Sequence, residues 1–580
     1  MRVYGDRERL AAAKSVLETL VQGLAAVQAL SPGLTRHSRL VELFIEAAAL
    51  HQGVSDLELA RLGVDEDTIA QSAGRDVLAA LAKGVAESWD DPAGAPRLDL
   101  ASALARWADA APDQPVALRV AEGFTHYAVY PEAYLEAARL AAWPAQPCVI
   151  GLRSIGAALA PMVATAFGDE VLVATPRPVG EPFARRLALG EDLQARLLAH
   201  GGPYAVVDEG PGLSGSSFGA VGDFLEAGSV MAEQVVYLPS HGGAPGPKAS
   251  LRHRERWMGA RRCVADFDGR IGPNRLAAWA ENVLGAVRAP LRDLSGGAWR
   301  SVTGSDAPVI PMLERRKFLA ETNSGPWLLK FAGLSADGRA KAERARVLAA
   351  AGFSPPVGGW AHGFLALRWI TDALPVNPQR YDRVRLLDRV ASYLAFRTAC
   401  LPAEAEDGAD LQALAEMARI NAGEALGAAL GMEVARRLRA LLADPPISRP
   451  VHVDGRMHAW EWLETPAGDL LKVDALDHAR GHDLVGCQDI AWDVAGAELE
   501  LELSPMETER LARVLGVDLR LLAIHRACYP AFQLGLWSLA PADEAPRVEV
   551  HVRRYREALR RFAGQTSGDD PWMEPRRRAT

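Results

Sequence analysis

The chain has 580 residues, 49% hydrophobic and 24% charged, and Lys+Arg 64 against Asp+Glu 73 leaves a net charge of −9. This composition excludes wholesale disorder and fibrous classes, and the acidic balance disfavours a chain-wide phosphate-neutralising surface for nucleic acid. At about 150 residues per domain, the length calls for roughly three or four domains.

No stretch approaches the roughly 18 apolar residues needed to span a bilayer. The start, Met1-Arg2-Val3-Tyr4-Gly5-Asp6, lacks a basic-then-apolar leader. The expected setting is cytoplasmic, with small molecules as partners and neither nucleic acid nor membrane. Cys148, Cys263, Cys400, Cys487 and Cys528 are far apart and form no C-x-x-C, so they outline neither a disulfide framework nor a zinc site.

Apolar residues at three- and four-residue spacing, as in Leu10, Ala13, Val16, Leu17, Leu20 and again Leu40, Val41, Leu43, Phe44, Ala47, predict a helical region up to about residue 110. It carries no chemical motif; its expected role is packing or self-association, as in a homodimer. From Val116 to Ser250, short β-like runs alternate with Ala-rich helical stretches, the pattern of βαβ units around a parallel sheet. The runs are Cys148-Val149-Ile150, Glu170-Val171-Leu172-Val173, Tyr204-Ala205-Val206-Val207 and Gln234-Val235-Val236-Tyr237-Leu238. Gly242 to Pro247 reads as a domain exit, followed by a connector with some helix. Beyond it lie a β-rich stretch (Lys317 to Leu334), a helix (Ala340 to Ala350), a strand (Phe364 to Ile370) and then mostly helical sequence, with a polar, frayed tail from Gly564.

The sharpest motif is Val206-Val207-Asp208-Glu209-Gly210-Pro211-Gly212-Leu213-Ser214-Gly215-Ser216-Ser217, an apolar strand that runs into two acids, a Gly/Ser loop and a helix. Glycines let backbone N–H groups face a phosphate, the helix N-terminus adds positive potential, and serine hydroxyls donate further hydrogen bonds. Two acids before such a loop suit ribose hydroxyls.

The motif resembles that of the type I phosphoribosyltransferases, and the segment Glu122 to Glu132 resembles their divergent branch found with bacterial tellurium-resistance and stress clusters. The resemblance implies that Asp208 and Glu209 hold the ribose 2- and 3-hydroxyls and that Leu213, Ser214, Gly215, Ser216 and Ser217 cradle the 5-phosphate. It places the pyrophosphate leaving group against the loop after the first core strand, where Arg153, Ser154 and the N–H of Gly156 suit that job. It puts a mobile hood at Arg177 to Arg186, with Arg177, Arg185 or Arg186 neutralising pyrophosphate. The second acid is Glu where the family has mostly Asp, and Gly210-Pro211-Gly212 is one residue longer than the usual loop.

In the C-terminal half, Ser324-Gly325-Pro326-Trp327-Leu328-Leu329-Lys330-Phe331 sets a lysine on a strand, and a helix bearing Glu343 follows. Later come Val451-His452-Val453-Asp454, Leu470-Leu471-Lys472-Val473-Asp474 and Gly486-Cys487-Gln488-Asp489-Ile490-Ala491-Trp492-Asp493. Together these resemble the aminoglycoside-phosphotransferase branch of the protein-kinase-like fold. The resemblance implies a Lys330–Glu343 ion pair at the nucleotide phosphates, Asp454 as the catalytic-loop aspartate, Asp474 as the Mg²⁺ ligand and Asp493 as an acid steadying the catalytic loop. The family's second metal-ligating Asn falls on Ala459, with His458 or Glu461 as substitutes, and no glycine-rich cover precedes Lys330. The cluster Asp477, His478, His482, Asp483 reads as solvated surface, and Trp360, Trp369, Trp460 and Trp462 as core anchors.

The expected fold class is multi-domain α/β. It comprises an N-terminal helical region (1–112), a phosphoribosyltransferase-like parallel sheet with flanking helices (113–250), a connector (251–307), a C-terminal protein-kinase-like α+β domain (308–565) and a tail (566–580). The expected function is transfer of the 5-phosphoribosyl group of phosphoribosyl pyrophosphate, with Mg²⁺, to a small-molecule acceptor, coupled to ATP-dependent phosphorylation by the C-terminal domain. The alternatives are an ATP-dependent small-molecule kinase with a nucleotide-binding middle domain, or a non-catalytic ligand sensor.

Overall fold

The computed structural model describes residues 1–564 apart from 6, 7, 95, 97, 169 and 482. Of the frayed tail expected from Gly564, all but Gly564 itself, which ends a helix, lies outside the described residues, as does His482. A short strand, Glu8–Ala11, pairs with Val116–Arg119, so Leu10 lies in a strand and not in the expected helix, and three long helices follow it: α1 (Ala13–Ala29), α2 (Leu34–Leu62) and α3 (Ile69–Asp90). In α2 the buried positions Leu40, Val41, Phe44, Ala47, Ala48 and His51 form one broad stripe at helical spacing. Thr68 starts α3 by accepting the Gln71 N–H, which satisfies one of the amides that the first turn leaves unpaired.

After α4 (Pro131–Leu140) come the parallel strand β1 (Cys148–Gly151), helix α5 (Gly156–Ala164), strand β2 (Val173–Ala174) and the hairpin β3 (Pro178–Glu181)/β4 (Ala184–Leu187). They are followed by β5 (Tyr204–Val207), helix α6 (Ser216–Ala227), β6 (Val235–Leu238) and β7 (Arg261–Arg262). These strands make a five-stranded parallel sheet in the order β2-β1-β5-β6-β7. Every residue of β1, β5 and β6 is buried, because helices cover both faces. Alternation sorts them: Val149, Ala205, Val207, Val236 and Leu238 join the core of α1–α3, whereas Ile150, Tyr204, Val206 and Tyr237 face Phe218, Val221 and Trp257. The N-terminal helices are therefore one wall of the parallel-sheet unit.

Downstream, β8 (Arg292–Asp293), β9 (Lys317–Thr322), β10 (Gly325–Phe331), β11 (Val357–Ala361) and β12 (Phe364–Arg368) form an antiparallel sheet in the order β8-β9-β10-β12-β11, with helix α7 (Ala336–Ala350) between β10 and β11 in sequence. The span read as a connector thus supplies that sheet's edge strand. Residues 369–382 lead into a helical lobe that begins with α8 (Arg383–Cys400), whose N-cap Asp382 accepts the Val384 and Arg385 N–H groups. Its core comprises α9 (Leu411–Leu426), α10 (Ala428–Leu441), α11 (Ala491–Glu500), α12 (Leu519–Trp537) and α13 (Ala545–Gly564). Two short antiparallel pairs belong to this lobe, Pro450–Val451 with Gln488–Asp489 and Trp462–Glu464 with Leu470–Lys472, and the second edges the cleft between the lobes. Among the described residues no helix is long and apolar enough to cross a membrane.

Candidate functional site

A cavity of about 320 Å³ lies between the antiparallel sheet and the helical lobe. Strand periodicity places Leu328 and Lys330 of β10, and Leu365 and Leu367 of β12, on the same cavity-lining face. Helical periodicity does the same for Lys341 and Ala345 of α7. The linker residues Ile370 and Ala373 and, opposite, Leu463, Lys472 and Asp474 complete the wall. The cavity is apolar toward the linker and charged toward Asp474.

Lys330 reaches across the lobes to Asp474 and lies 2.5 Å from Asp477. Burial alone would lower its pKa, but Asp474 and Asp477 outweigh that and raise it, so the ammonium is held charged. Asp474, against its own burial, is pulled below the usual carboxylate range chiefly by Lys330. Lys341 Nζ stands 3.3 Å from Asp477, yet burial wins there and lowers its pKa to about 8. The expected Lys330–Glu343 pair is corrected. Glu343 lies two residues beyond Lys341, points out of the helix, is 67% exposed and pairs with Arg346 at 3.1 Å. The turn of α7 that faces the cleft presents a lysine instead. The solvated-surface reading of Asp477 is corrected as well, since it is buried beneath two lysines.

Asp454 departs from its expected place on the cavity wall. It is fully buried, accepts a hydrogen bond from Tyr393 Oη at 2.5 Å and lies 3.2 Å from Lys472 Nζ, which also donates to Glu461 Oε2 at 2.7 Å. Tyr393 and Arg397, one turn apart on α8, close its other side, with Arg397 at 3.7 Å. Asp493 at the start of α11 accepts the N–H groups of Asp454 and Gly455 at 2.7 and 2.9 Å, so it fixes the loop as expected. Burial and then the charge of Asp454 push its pKa up to about 7.

The donor set at the charged end of the cleft suits a divalent cation. Donor atoms of Glu461, Asp474 and His478 lie within 4.8 Å of one another. Oxygens from Asp474 and Glu461 are the hard ligands Mg²⁺ takes. Of the two substitutes weighed for the missing Asn, Glu461 faces this point, whereas His458 stacks on Trp460 and lies 3.2 Å from Glu500.

The second candidate site lies at the C-terminal end of β5. Asp208 accepts the Glu209 N–H at 2.9 Å, Tyr134 donates to the Asp208 carbonyl, and neither carboxylate has an ion-pair partner among the described residues. Burial lifts the Asp208 pKa to about 7. Burial, then Asp208 and Glu122, lift that of Glu209 to about 8. Gly215, at φ +61°, turns the chain into α6, and Ser217 lies in its first turn. The other expected phosphate ligands are engaged elsewhere. Ser216 donates to the Pro182 carbonyl of the hairpin at 2.8 Å, Ser214 donates to Ser216 at 2.9 Å, and Leu213 is exposed with its carbonyl taken by the Lys248 N–H.

The pyrophosphate arm is corrected outright. Arg153 is buried against Asp65 at 2.5 Å and Asp56 at 3.0 Å, and Arg177 binds Asp56 at 2.5 Å and takes its backbone N–H to Asp65. These acids belong to α2 and the loop after it, so the helical region supplies the countercharge that a departing pyrophosphate was expected to supply. The Gly156 N–H goes to the Leu152 carbonyl at 2.9 Å. Glycine is required there because an added Cβ would lie 2.5 Å from the Gly151 carbonyl carbon. Ser154 lines a cavity of about 400 Å³ shared with α1 and α2.

The unpaired acids carry a pH signature. Their folded pKa values exceed the unfolded ones, so their contribution to stability is complete below about pH 4 and is lost as the pH climbs through 7 and 8. The double variant Asp208→Asn, Glu209→Gln is expected to melt above the parent at about pH 8.5, with the gap shrinking toward about pH 5. Melting curves of parent and variant that stay parallel across this range contradict the buried, unpaired state.

No family model matches the chain, and no curated protein does. Among solved structures it is similar to choline kinase LicA from Streptococcus pneumoniae, at 17% identity and TM-score 0.31 over 43% of this chain and 90% of that one. It is also similar to a choline/ethanolamine kinase family protein from Mesorhizobium loti, at 19% identity and TM-score 0.32 over 50% and 97% of the two chains. A third similarity is to aminoglycoside 2′-phosphotransferase-IIIa in its GDP complex, at 11% identity and TM-score 0.32 over 50% and 98%. All three are remote, and the chemistry of the cleft rests on its own side chains.

Proposed function

We propose that the cleft between the two lobes binds a nucleoside triphosphate with Mg²⁺ and transfers its terminal phosphoryl group to a small-molecule acceptor. The observation that carries this reading is Lys330 meeting Asp474 across the cleft, with Glu461 within reach of the same point. Leu328, Leu365, Leu367 and Leu463 would take the base, and Lys330 and Lys341 the phosphates. Asp474 and Glu461 would hold Mg²⁺, which supplies charge neutralisation at the bridging oxygens. Phosphoryl transfer through a loose transition state depends on alignment and charge more than on a strong base. The burial of Asp454 under Lys472 is therefore compatible with turnover.

That same burial favours a second reading, in which the cleft binds nucleotide without turning it over. Phosphoribosyl transfer, the other activity expected from the sequence, has less support, because Arg153, Arg177 and the Gly156 amide are all engaged inside the protein. Thermal melting of the full chain with ATP, with and without Mg²⁺, combined with ADP release over a panel of hydroxyl-bearing acceptors, separates these readings. The kinase reading expects Mg²⁺-dependent protection, about 2.7 kcal/mol at 100-fold excess over Kd, and acceptor-dependent ADP. Protection without ADP supports the second reading; protection by phosphoribosyl pyrophosphate alone overturns both.

A further inference from the structure

Apart from the cleft, the described residues hold a polar cluster where three parts of the chain meet. His37 comes from α2, Glu132 from the first turn of α4, and His362 from the turn between β11 and β12. Both imidazole Nε2 atoms lie 2.9 Å from the same oxygen, Glu132 Oε1. All three side chains are at most 3% exposed. The second carboxylate oxygen, Oε2, is buried and has no hydrogen-bond partner. No lysine or arginine pairs with Glu132 among the described residues. The surroundings are aromatic: Trp279 and Tyr130 lie 4.8 and 5.3 Å from the His362 ring, and Trp89 lies 5.7 Å from His37. In such a shell both imidazoles serve one carboxylate oxygen and leave the other an orphaned lone pair, which is costly.

We propose that His37, Glu132 and His362 form a structural site for a divalent transition metal of zinc type. The donor set is two imidazole nitrogens with both oxygens of Glu132, which brings the orphaned Oε2 into use and makes four donors. Two imidazoles disfavour the oxygen-seeking Mg²⁺ and Ca²⁺ and suit Zn²⁺, and a closed aromatic shell fits a structural role. The outer contacts fit too. His37 Nδ1 lies 3.1 Å from Ser88 Oγ and His362 Nδ1 lies 3.1 Å from Ser38 Oγ, so in the metal-bound form each Nδ1–H would have an acceptor and each Nε2 would turn a lone pair to the ion. At zinc distances an imidazole nitrogen and a carboxylate oxygen of a tetrahedral set stand about 3.3 Å apart, while the fixed bite of the carboxylate holds Oε2 closer to Oε1 and makes the four-donor set a distorted tetrahedron. The 2.9 Å spacings therefore need to open by only a few tenths of an ångström. A bound ion would tie the helical region to the parallel-sheet unit and to the antiparallel lobe at one point.

The test is elemental analysis of tag-free full-length protein purified without chelators. About one zinc per chain is expected, and it should persist in Glu461→Gln, which affects only the cleft cluster. Stripping with a chelator should lower the melting temperature, and Zn²⁺ but not Mg²⁺ should restore it. Glu132→Gln should abolish the stoichiometric metal. Because that variant leaves two buried imidazoles without their partner and can fail to fold, Ser38→Ala with Ser88→Ala provides the second reading, with zinc affinity falling about 10- to 100-fold against a chelating dye. Absence of transition metal from the parent together with no zinc effect on melting overturns the proposal. So does metal content or affinity that is unchanged in these variants.

Discussion

Replacing Lys472 with methionine is expected to cost about 3–5 kcal/mol of stability, the range for breaking a buried ion pair by removing one partner. Lys472 is fully buried between Asp454 at 3.2 Å and Glu461 at 2.7 Å. Its removal leaves Asp454 with only Tyr393 and the more distant Arg397, and Glu461 without its cation. Burial already raises the Glu461 pKa against the pull of Lys472, so losing the lysine drives it further upward and favours the neutral carboxyl. Adding Asp454→Asn and Glu461→Gln to Lys472→Met should recover most of the loss, because the charges and not the volume are at fault. Urea midpoints of the three proteins check this. A Lys472→Met protein as stable as the parent means that Asp454 is hydrated and reachable from the cleft.

The second large effect lies at Arg153. Its side chain is 1% exposed and bridges Asp65 at 2.5 Å and Asp56 at 3.0 Å. Arg153→Met is expected to cost about 3 kcal/mol or more, and the added change Asp65→Asn to restore much of it. Arg177→Met should cost less, since that guanidinium is 15% exposed and its backbone N–H keeps its bond to Asp65. In the parent, pyrophosphate is expected to give no thermal protection, because both arginines already hold carboxylates. Protection by pyrophosphate that Arg153→Met removes would restore the leaving-group role expected from the sequence.

The parallel sheet was legible because burial on both faces writes itself as short unbroken apolar runs, as in Tyr204–Val207. The loop-steadying role of Asp493 was legible because it depends on a local motif. The engagements of Arg153 and Arg177 were not, since their partners lie 88 and 121 residues away in a region without any motif of its own. Lys330 and Asp474 were each identified, but their meeting spans 144 residues and left no local trace. The stripe Ala342, Ala345, Leu348 marks the inward face of α7 and puts Lys341 on it, whereas Glu343, the residue the family resemblance implies, falls on the outer face. Asp477 read as surface because a polar cluster in a loop looks solvated until two lysines from distant elements converge on it. The His37–Glu132–His362 cluster was silent because its members lie 95 and 230 residues apart and share no local motif.

The central claim is a nucleotide seated between Lys330 and Asp474. Calorimetric titration of the full chain with the Mg²⁺ complex of a non-hydrolysable ATP analogue, in the parent and in Lys330→Met, tests it most directly. The account predicts one site per chain in the parent and about 100-fold weaker binding in the variant, the worth of a charged phosphate contact. A parent that takes up no nucleotide, or a variant that binds as tightly as the parent, contradicts it.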